Sequence, residues 1–540
     1  MRVFRRAVFE RYRNIGLIAG VLRQITCVLR WPSIAASAAM REEKSIQGTL
    51  PSLAGLDLQG TQGFTQPPLS IAQCTSSICR IGVEKIARSG MSKIDHVVVL
   101  MLENRSFDNV LGRLYPKAEQ FDGLDMNEWN PQHREDGSVD RVSVWSSEAS
   151  DPPNLPDADP GELFSDMEMQ IYGLGRSDEP DMNGFVDNYV RQRGNDSRAD
   201  PKAVMHVYRP EHLRSTTLLA RSFGVSDRWF ASAPCETWPN RYFMHCGTAG
   251  GYVNNRRSSF PYRWPRFMPT IFRRLDRCGY TWRVYFHDLP QAATLVDLWP
   301  KIPTHFCFFD PEFAADASAG QLPSYSFIEP RYYASLRAKA LPNDQHPPHD
   351  LQDGEALVAS VYNILRSAPT WPRTLLIITY DEHGGCFDHV PPPSAVSPGG
   401  PYPDGFRFDR YGVRVPTLLV SPYVPPGSIV RPSGIYPFDH CSVQATLNKL
   451  FDIGPPLSPR VAVAPDVLPA LALSAPDNQG PEQIAVRTAV RCSKDIRAYR
   501  RRRHNHHQDA LLGAGHATPA VLAHLSARLR SLRHRGTDRQ

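Results

Sequence analysis

The chain has no long hydrophobic run. Its clearest N-terminal apolar stretch, Ile15–Leu22, is cut off by Arg23, whereas a helix that spans a bilayer needs roughly 20 apolar residues. Contact with a membrane is therefore expected to be peripheral. Cysteine is scarce, at 10 of 540 residues, and a chain this long does not depend on the disulfide framework of small secreted domains. Cys235, Cys386 and Cys441 read as free thiols in a reducing compartment. Cys74 and Cys79 have no second ligand pair at zinc-finger spacing. Internal repeats, a Walker loop and a dinucleotide fingerprint are also missing, since the glycines of Gly247–Gly251 lack the required spacing.

Positive charge is scarce wherever the chain has core-forming sequence. The formal net charge is +6, but residues 1–30 hold seven arginines against one glutamate. Residues 491–540 hold twelve Lys and Arg against three Asp, which leaves residues 31–490 with nine surplus negative charges. The basic balance belongs to the two ends and gives no reason to expect a nucleic-acid partner. In the first ninety residues Arg5-Arg6 ahead of Ile15–Leu22 faintly suggests twin-arginine export, but the small-residue stretch Ala35–Ala39 lies well past the apolar run. The reading favours a cytoplasmic protein over that export route. It takes residues 1–90 as an extension that is disordered or upstream of the true start at Met91.

What the chain does have is buried-strand sequence that ends in acid. Ile94–Leu102 is a near-continuous apolar run rich in β-branched side chains, as suits a strand covered on both faces of a parallel sheet. It breaks abruptly into Glu103-Asn104-Arg105-Ser106-Phe107-Asp108. Asn and Ser also start helices, which accounts for Asn104 and Ser106 but not for a glutamate at a buried strand's end. Thr374–Tyr380 repeats the arrangement and ends in Asp381-Glu382-His383-Gly384-Gly385. Adjacent carboxylates repel and lose hydration unless a cation or protons compensate, and paired glycines let backbone approach closely. Ligands bind at the carboxyl ends of strands in open α/β sheets, so a metal site is the economical account.

Elsewhere strands alternate with helices. Leu213–Phe223, a segment around Phe272–Leu275 that ends near Gly279, Glu355–Leu365 and Ser442–Phe451 read as helices. Trp282–Phe286, leading into His287-Asp288, and Val415–Val420 read as strands. The fold class is α/β, with a mainly parallel central sheet flanked by helices. Residues 112–205 read as loop-rich insertions, in which Phe164, Met167, Met169, Ile171 and Tyr172 form either a small core or an apolar surface for lipid. Three divisions follow: the extension 1–90, a catalytic domain 91–475 and a basic tail 476–540. Within the tail, the run Arg500–His507 reads as solvated.

Taken in order, Val99–Asp108, Asp159-Pro160-Gly161-Glu162, Met182–Phe185, Ser226–Phe230 with Thr237–Arg241, Tyr325–Pro330, Asp344–Pro347, Tyr380–Gly385 and Val413–Pro416 make the chain resemble the phosphoesterase family of non-specific phospholipases C and acid phosphatases. That family is related in fold to the alkaline phosphatases, and the resemblance runs from about Ile94 to about Leu471. It implies a metal-dependent hydrolase of phosphate esters. Thr237 falls at the position of the nucleophile. A helix N-cap is the structural alternative for its hydroxyl, and the two roles are compatible, because a helix N-terminus favours phosphate.

The resemblance further implies that Glu103, Asn104, Thr237, Asp381 and Glu382 ligate one divalent ion. Oxygen donors suit Mg²⁺, Mn²⁺ or Ca²⁺, and carboxylates also accept Zn²⁺. His287, Asp288 and His346 match positions lining the phosphate pocket, one histidine donating the leaving-group proton and the other steadying the phosphoryl oxygens. His383 joins Glu162 on the substrate side, and His389 ranks below them. The plant-type phospholipases have a histidine near the position of Glu162, so a possible cation beside the phosphate is lost here. The expected substrate is a phospholipid, with a phosphomonoester as the close alternative and a catalytically silent phosphate- or lipid-binding protein as the rival of another class.

Overall fold

The computed structural model describes residues 93–192, 200–255, 268–486, 491–501 and 504–517, all within the compact unit that begins at Lys93. The extension read at 1–90, with its arginine pair and with Cys74 and Cys79, lies outside the described residues. Ten strands occur in chain order: β1 (His96–Leu102), β2 (Trp129–His133), β3 (Val139–Ser143), β4 (Gly224–Ser226), β5 (Trp282–Phe286), β6 (Phe306–Phe308), β7 (Tyr325–Glu329), β8 (Thr374–Tyr380), β9 (Thr417–Val420) and β10 (Ser428–Ile429). Eight of them form one sheet in the order β10-β4-β9-β8-β1-β7-β5-β6, and β2 pairs only with β3. Within that sheet β9 alone runs against its neighbours. The expected α/β class with a mainly parallel sheet is what forms.

Chemistry explains why β1 and β8 sit at the centre. Val97–Leu102 and the whole of Thr374–Tyr380 are buried, and β-branched side chains pack well on a pleated surface covered on both faces. The helix Leu351–Arg366 starts where the Asp350 side chain accepts from the Gln352 amide at 2.9 Å. It packs against the helix Arg214–Ser222. Each helix and strand read from the sequence is present within a few residues of its expected ends. Among the described residues no helix is long and apolar enough to cross a membrane.

The insertion departs from its reading. Residues 112–205 are not loosely connected loop: the β2–β3 hairpin, the helices Phe164–Tyr172 and Phe185–Gln192, and the turn Pro201–Met205 enclose a second apolar core. Val142, Ile171, Phe185, Tyr189 and Met205 fill it, together with Phe387 from the loop after β8. Ile171 therefore belongs to a small core, and Met167 is buried. The C-terminal span also departs. Arg501 and His506 are exposed as expected, but Asn505 and His507 are buried and a helix, His506–Ala517, follows them.

Candidate active site

Register builds the site. Leu102 of β1 pairs with Tyr380 of β8, so Glu103 and Asp381 leave the sheet side by side at its carboxyl edge. The Asp381 amide donates to Leu102 O at 3.3 Å and the Glu103 amide to Asp344 O at 2.9 Å. The chain then turns at Asn104, whose φ is +52°, a left-handed conformation that Asn tolerates better than most residues. Its amide donates to Asp381 Oδ1 at 3.1 Å. Gly384, at φ +60°, comes so near that a Cβ would stand 2.3 Å from Asn104 O. The glycine pair serves the close approach expected of it.

The second contributor is the helix Thr237–Cys246, which opens one side of the same edge. Asn240 folds the preceding loop: its Nδ2 donates to Cys235 O at 2.7 Å and Ala233 O at 3.1 Å, and its Oδ1 accepts from the Ala233 amide. The N-cap is Glu236, and Thr237 is the first helical residue. The Trp238 amide is satisfied by Asn255 Oδ1 at 2.7 Å. The capping role weighed for Thr237 is thus corrected, because its hydroxyl caps nothing. One turn along the same helix face, where i and i+4 side chains meet, the guanidinium of Arg241 reaches Glu103 Oε1 at 2.6 Å and Asp381 Oδ2 at 3.2 Å.

Some oxygens of these residues are left over. Glu103 Oε2, Asn104 Oδ1, Thr237 Oγ1 and Glu382 Oε1 are all buried and none has a hydrogen-bond partner. These four come from four of the five residues expected to ligate an ion. Asp381 differs, since its Oδ1 accepts from the amides of Asn104 and Glu382 and its Oδ2 faces Arg241. Burial, then the Asp381 charge, pushes the Glu103 carboxyl well above the usual carboxylate range. Burial, then Glu162 and Asp381, does the same to Glu382. Buried polar groups are ordinarily paired, and each exception calls for an explanation. A hard cation would pair these oxygens and restore both carboxylates to the charged form.

Glu162 and His346 adjoin this group. Asn104 Nδ2 donates to Glu162 Oε1 at 2.6 Å, and His346 Nε2 lies 3.2 Å from the same oxygen. Asp159 stands 3.6 Å from His346 Nδ1, and Asp159, Glu162 and His346 together could hold a metal ion. Burial opposes a charge on His346, but Glu162 and Asp159 raise it well above the ordinary histidine value. The cation that a histidine at position 162 would have brought is thus absent, and a carboxylate tied to a charged imidazole stands there instead.

The remaining expected residues have partners of their own, although His383 Nδ1 also stands 3.4 Å from Glu382 Oε2. His383 is held behind Glu382: its Nε2 meets Gln170 Oε1 at 2.7 Å, its ring packs on Phe185, and burial lowers it to about 3. His287 uses Nδ1 on Glu329 O at 3.0 Å and stacks on Phe309, with burial, then Arg331, lowering it to about 3. Burial pushes Asp288 up to about 7, while its Oδ2 accepts from the amides of Tyr332 and Tyr333 at 3.0 and 2.9 Å. Its hydrogen bonds position that turn rather than reach the four unpaired oxygens. His389 belongs to another network, bonded to Asp108 and Asp122.

Sequence reasoning gave no role to Arg241, although its i+4 spacing from Thr237 inside one motif was a readable signal. Nor did it assign Asp344, whose backbone carbonyl fixes Glu103, or His440, whose Nε2 meets Asp381 O at 2.7 Å. Cys235, Cys386 and Cys441 are free and buried.

The Phosphoesterase family model matches residues 94–454. Non-specific phospholipase C1 of Arabidopsis thaliana is 39% identical over 371 residues, 67% of each chain. Phospholipase C B of Mycobacterium tuberculosis is 30% identical over 439 residues, 72% of this chain and 79% of that one. Among solved structures a 2-O GAG sulfatase aligns with a TM-score of 0.31 at 13% identity, over 48% of this chain and 68% of that chain. The fold assignment rests on the sheet itself rather than on that likeness. On the family match and these relatives, the chain belongs to the Phosphoesterase family and is a hydrolase of ester bonds.

Proposed function

We propose that the protein is a metal-dependent phospholipase C, which hydrolyses glycerophospholipids to diacylglycerol and a phosphorylated head group through a covalent phosphothreonine on Thr237. The observation that carries this reading is the set of four unpaired buried oxygens, one of them the Thr237 hydroxyl. Charge supports it. Glu103, Asp381, Glu382 and Glu162 are fully buried carboxyl groups set against the Arg241 guanidinium and the His346 imidazole. A buried excess of carboxyl groups over cations is what a divalent ion offsets. Glu103, Asn104, Thr237 and Glu382 would hold that ion, with Asp381 beside them.

A threonine hydroxyl is too weak an acid to attack at neutral pH unaided. The bound ion would supply Lewis-acid charge that lowers the hydroxyl pKa and steadies the phosphoryl oxygens. Thr237 Oγ1 loses its proton to solvent water and attacks phosphorus, and the P–O bond to the glycerol breaks. His346, held charged by Glu162 and Asp159, gives its proton to the leaving alkoxide. Water cleaves the phosphothreonine and frees the phosphorylated head group. Arg241 keeps Glu103 and Asp381 in place. Because no described helix can span a bilayer, contact with the lipid surface is peripheral in this reading.

A phosphomonoester brings an additional negative charge that the site would have to neutralise. Glu162 has the wrong sign for that and already occupies the His346 imidazole. The diester reading is therefore favoured over the acid-phosphatase one. A silent binding protein would have no use for an unpaired nucleophilic hydroxyl among candidate ligands. Turnover of a chromogenic phosphodiester, with and without chelator, tests the core of the proposal. The expected result is activity that chelation removes and added divalent ion restores; full activity in verified metal-free protein overturns metal dependence. Phosphatidylcholine in mixed micelles should show higher kcat/KM than a monoester such as p-nitrophenyl phosphate, and the reverse order replaces the phospholipase by a phosphatase.

A further inference from the structure

Part of the surroundings of Glu103 comes from beyond the matched family region, which ends at residue 454. Asn505 and Gln508 cap the helix His506–Ala517 reciprocally: Asn505 Oδ1 accepts from the Gln508 amide at 2.8 Å, and Gln508 Oε1 from the Asn505 amide at 3.1 Å. Such a box fixes the entry of a helix. The same turn is bolted to the domain, since Gln508 Nε2 donates to Tyr332 O at 2.5 Å and Tyr333 Oη to Gln508 O at 2.6 Å. Ala510 and Leu511 are buried in the main core.

Held this way, His507 lies against the Tyr332 ring with centroids 4.5 Å apart, and its Nε2 stands 3.8 Å from Glu103 Oε1. Its side chain is 1% exposed. Neither ring nitrogen has a hydrogen-bond partner. Its neighbour His506 comes within 3.7 Å of Glu236, the residue just before Thr237. The two-residue tip thus lies near both the N-cap of the helix that begins at Thr237 and the residue that follows β1. A neutral imidazole carries one N–H donor and one acceptor, and burying both unpaired is unfavourable. A segment evolved only to plug the site would satisfy these groups against what it covers. An imidazole left unsatisfied beside Glu103 fits a group that meets its partner when substrate arrives.

We propose that His507 is a substrate-contacting residue, whose ring N–H donates to a phosphoryl oxygen of the ester bound over Thr237. The C-terminal turn would then restore, from outside the family region, a nitrogen donor on the phosphate that Glu162 does not provide. This rests on the phosphate-ester reading above, and the test separates the two. In the full-length, ion-loaded protein, KM for p-nitrophenyl phosphorylcholine and Kd for inorganic phosphate by calorimetry are compared among wild type, His507→Ala and His507→Asn. Metal content is measured for each.

The expected result is a rise of roughly tenfold or more in both constants for His507→Ala, with recovery in His507→Asn, which keeps an N–H donor, and with unchanged metal content. Unchanged KM and Kd in a folded His507→Ala protein overturn the contact and leave the hydrolase reading intact. Loss of metal in His507→Ala overturns it in favour of an ion ligand, and a rise in turnover overturns it in favour of a plug. If His507→Ala does not fold, His507→Asn alone decides: preserved constants support the contact, and a tenfold loss despite the retained donor overturns it. Wild type that binds phosphate in a His507-dependent way without turning over the diester removes the hydrolase reading alone. Wild type that does neither removes both.

Discussion

The segments that follow β1 and β8 each feed two buried charge clusters, and the clusters differ in one respect. Near the strand ends, Glu103, Asn104 and Glu382 present oxygens with no hydrogen-bond partner. A few residues further along, Asp108, Asp388 and His389 join Arg414, Asp122 and Arg228, three carboxylates against three cations, with Arg228 2.9 Å from Asp122. Arg414 reaches Asp108 Oδ1 and Asp388 Oδ1 at 2.9 Å each, while His389 bridges Asp108 at 2.7 Å and Asp122 at 3.1 Å. Asp108, Asp388 and His389 have the composition and spacing of a metal site, but the Arg414 guanidinium already supplies the positive charge. Burial and acidity are common to both clusters. Unmatched valence marks the one prepared for a ligand.

The sharpest way to break this contrast is to remove a single unmatched oxygen. Thr237→Val preserves shape, and turnover of the diester should fall by roughly 10⁴-fold or more, with Thr237→Ser keeping part of it. Near wild-type kinetics in folded Thr237→Val would end the covalent mechanism. Next in size are paired substitutions, one in each cluster. Arg414→Met leaves buried carboxylates uncompensated and should cost about 3–5 kcal/mol in denaturant unfolding, with ion affinity of the folded protein unchanged. Glu382→Gln should do the opposite, weakening ion binding about 100-fold while leaving the ion-free protein as stable or more so, since a repelling carboxylate is gone. If both variants lose stability alike, the distinction between matched and unmatched clusters does not hold.

The smallest effect is the pH dependence that the matched cluster contributes. Burial opposes the charge on His389, but Asp108 and Asp122 carry its pKa up to about 10. The folded state then holds that proton more tightly than the unfolded chain does. Its contribution to stability is complete below about pH 6.5, the unfolded value, and is lost as pH rises towards 10. The Asp122 carboxyl is lowered, by its hydrogen bond to His389 and against burial, so its contribution is present above about pH 4 and is lost in acid. Tm should therefore decline between pH 7 and 10 in wild type, and His389→Gln should flatten that decline. An equal slope in the variant would assign the titration to another group.

Much of this was legible because its signals are local. β1 and β8 announce themselves through unbroken apolar runs, and the residues just past them fall at the sheet's carboxyl edge by register alone. The motif order supplied Thr237, and the structure adds that its hydroxyl is buried and unpaired. What escaped was non-local. A small core at Ile171 was one of two readings, but its other members, Val142, Phe185 and Met205, come from short elements, each with too few residues for a period to show. His507 sits in a run of charges whose composition reads as solvent-facing, and only the Tyr332–Gln508 bonds reveal that it turns inward. Asp288 had the right residue type at a strand end, but backbone amides of a later turn claim it.

The in-register pairing of β1 with β8 has a consequence for motion. Seven consecutive partners, from His96 with Thr374 to Leu102 with Tyr380, hold these strands together, and the Asp381 amide continues the ladder onto Leu102 O. Fluctuations that bare the centre of a sheet approach the free energy of global unfolding, whereas loops and termini open far more cheaply. Glu103 and Asp381 are thus joined to the slowest-exchanging part of the molecule, and Thr237 approaches them on a separate helix. Hydrogen exchange should find the Asp381 amide among the last to take up deuterium, well after those of the C-terminal turn. The groups that bind charge stay fixed on that timescale, and access to them is governed by the segments around the rim.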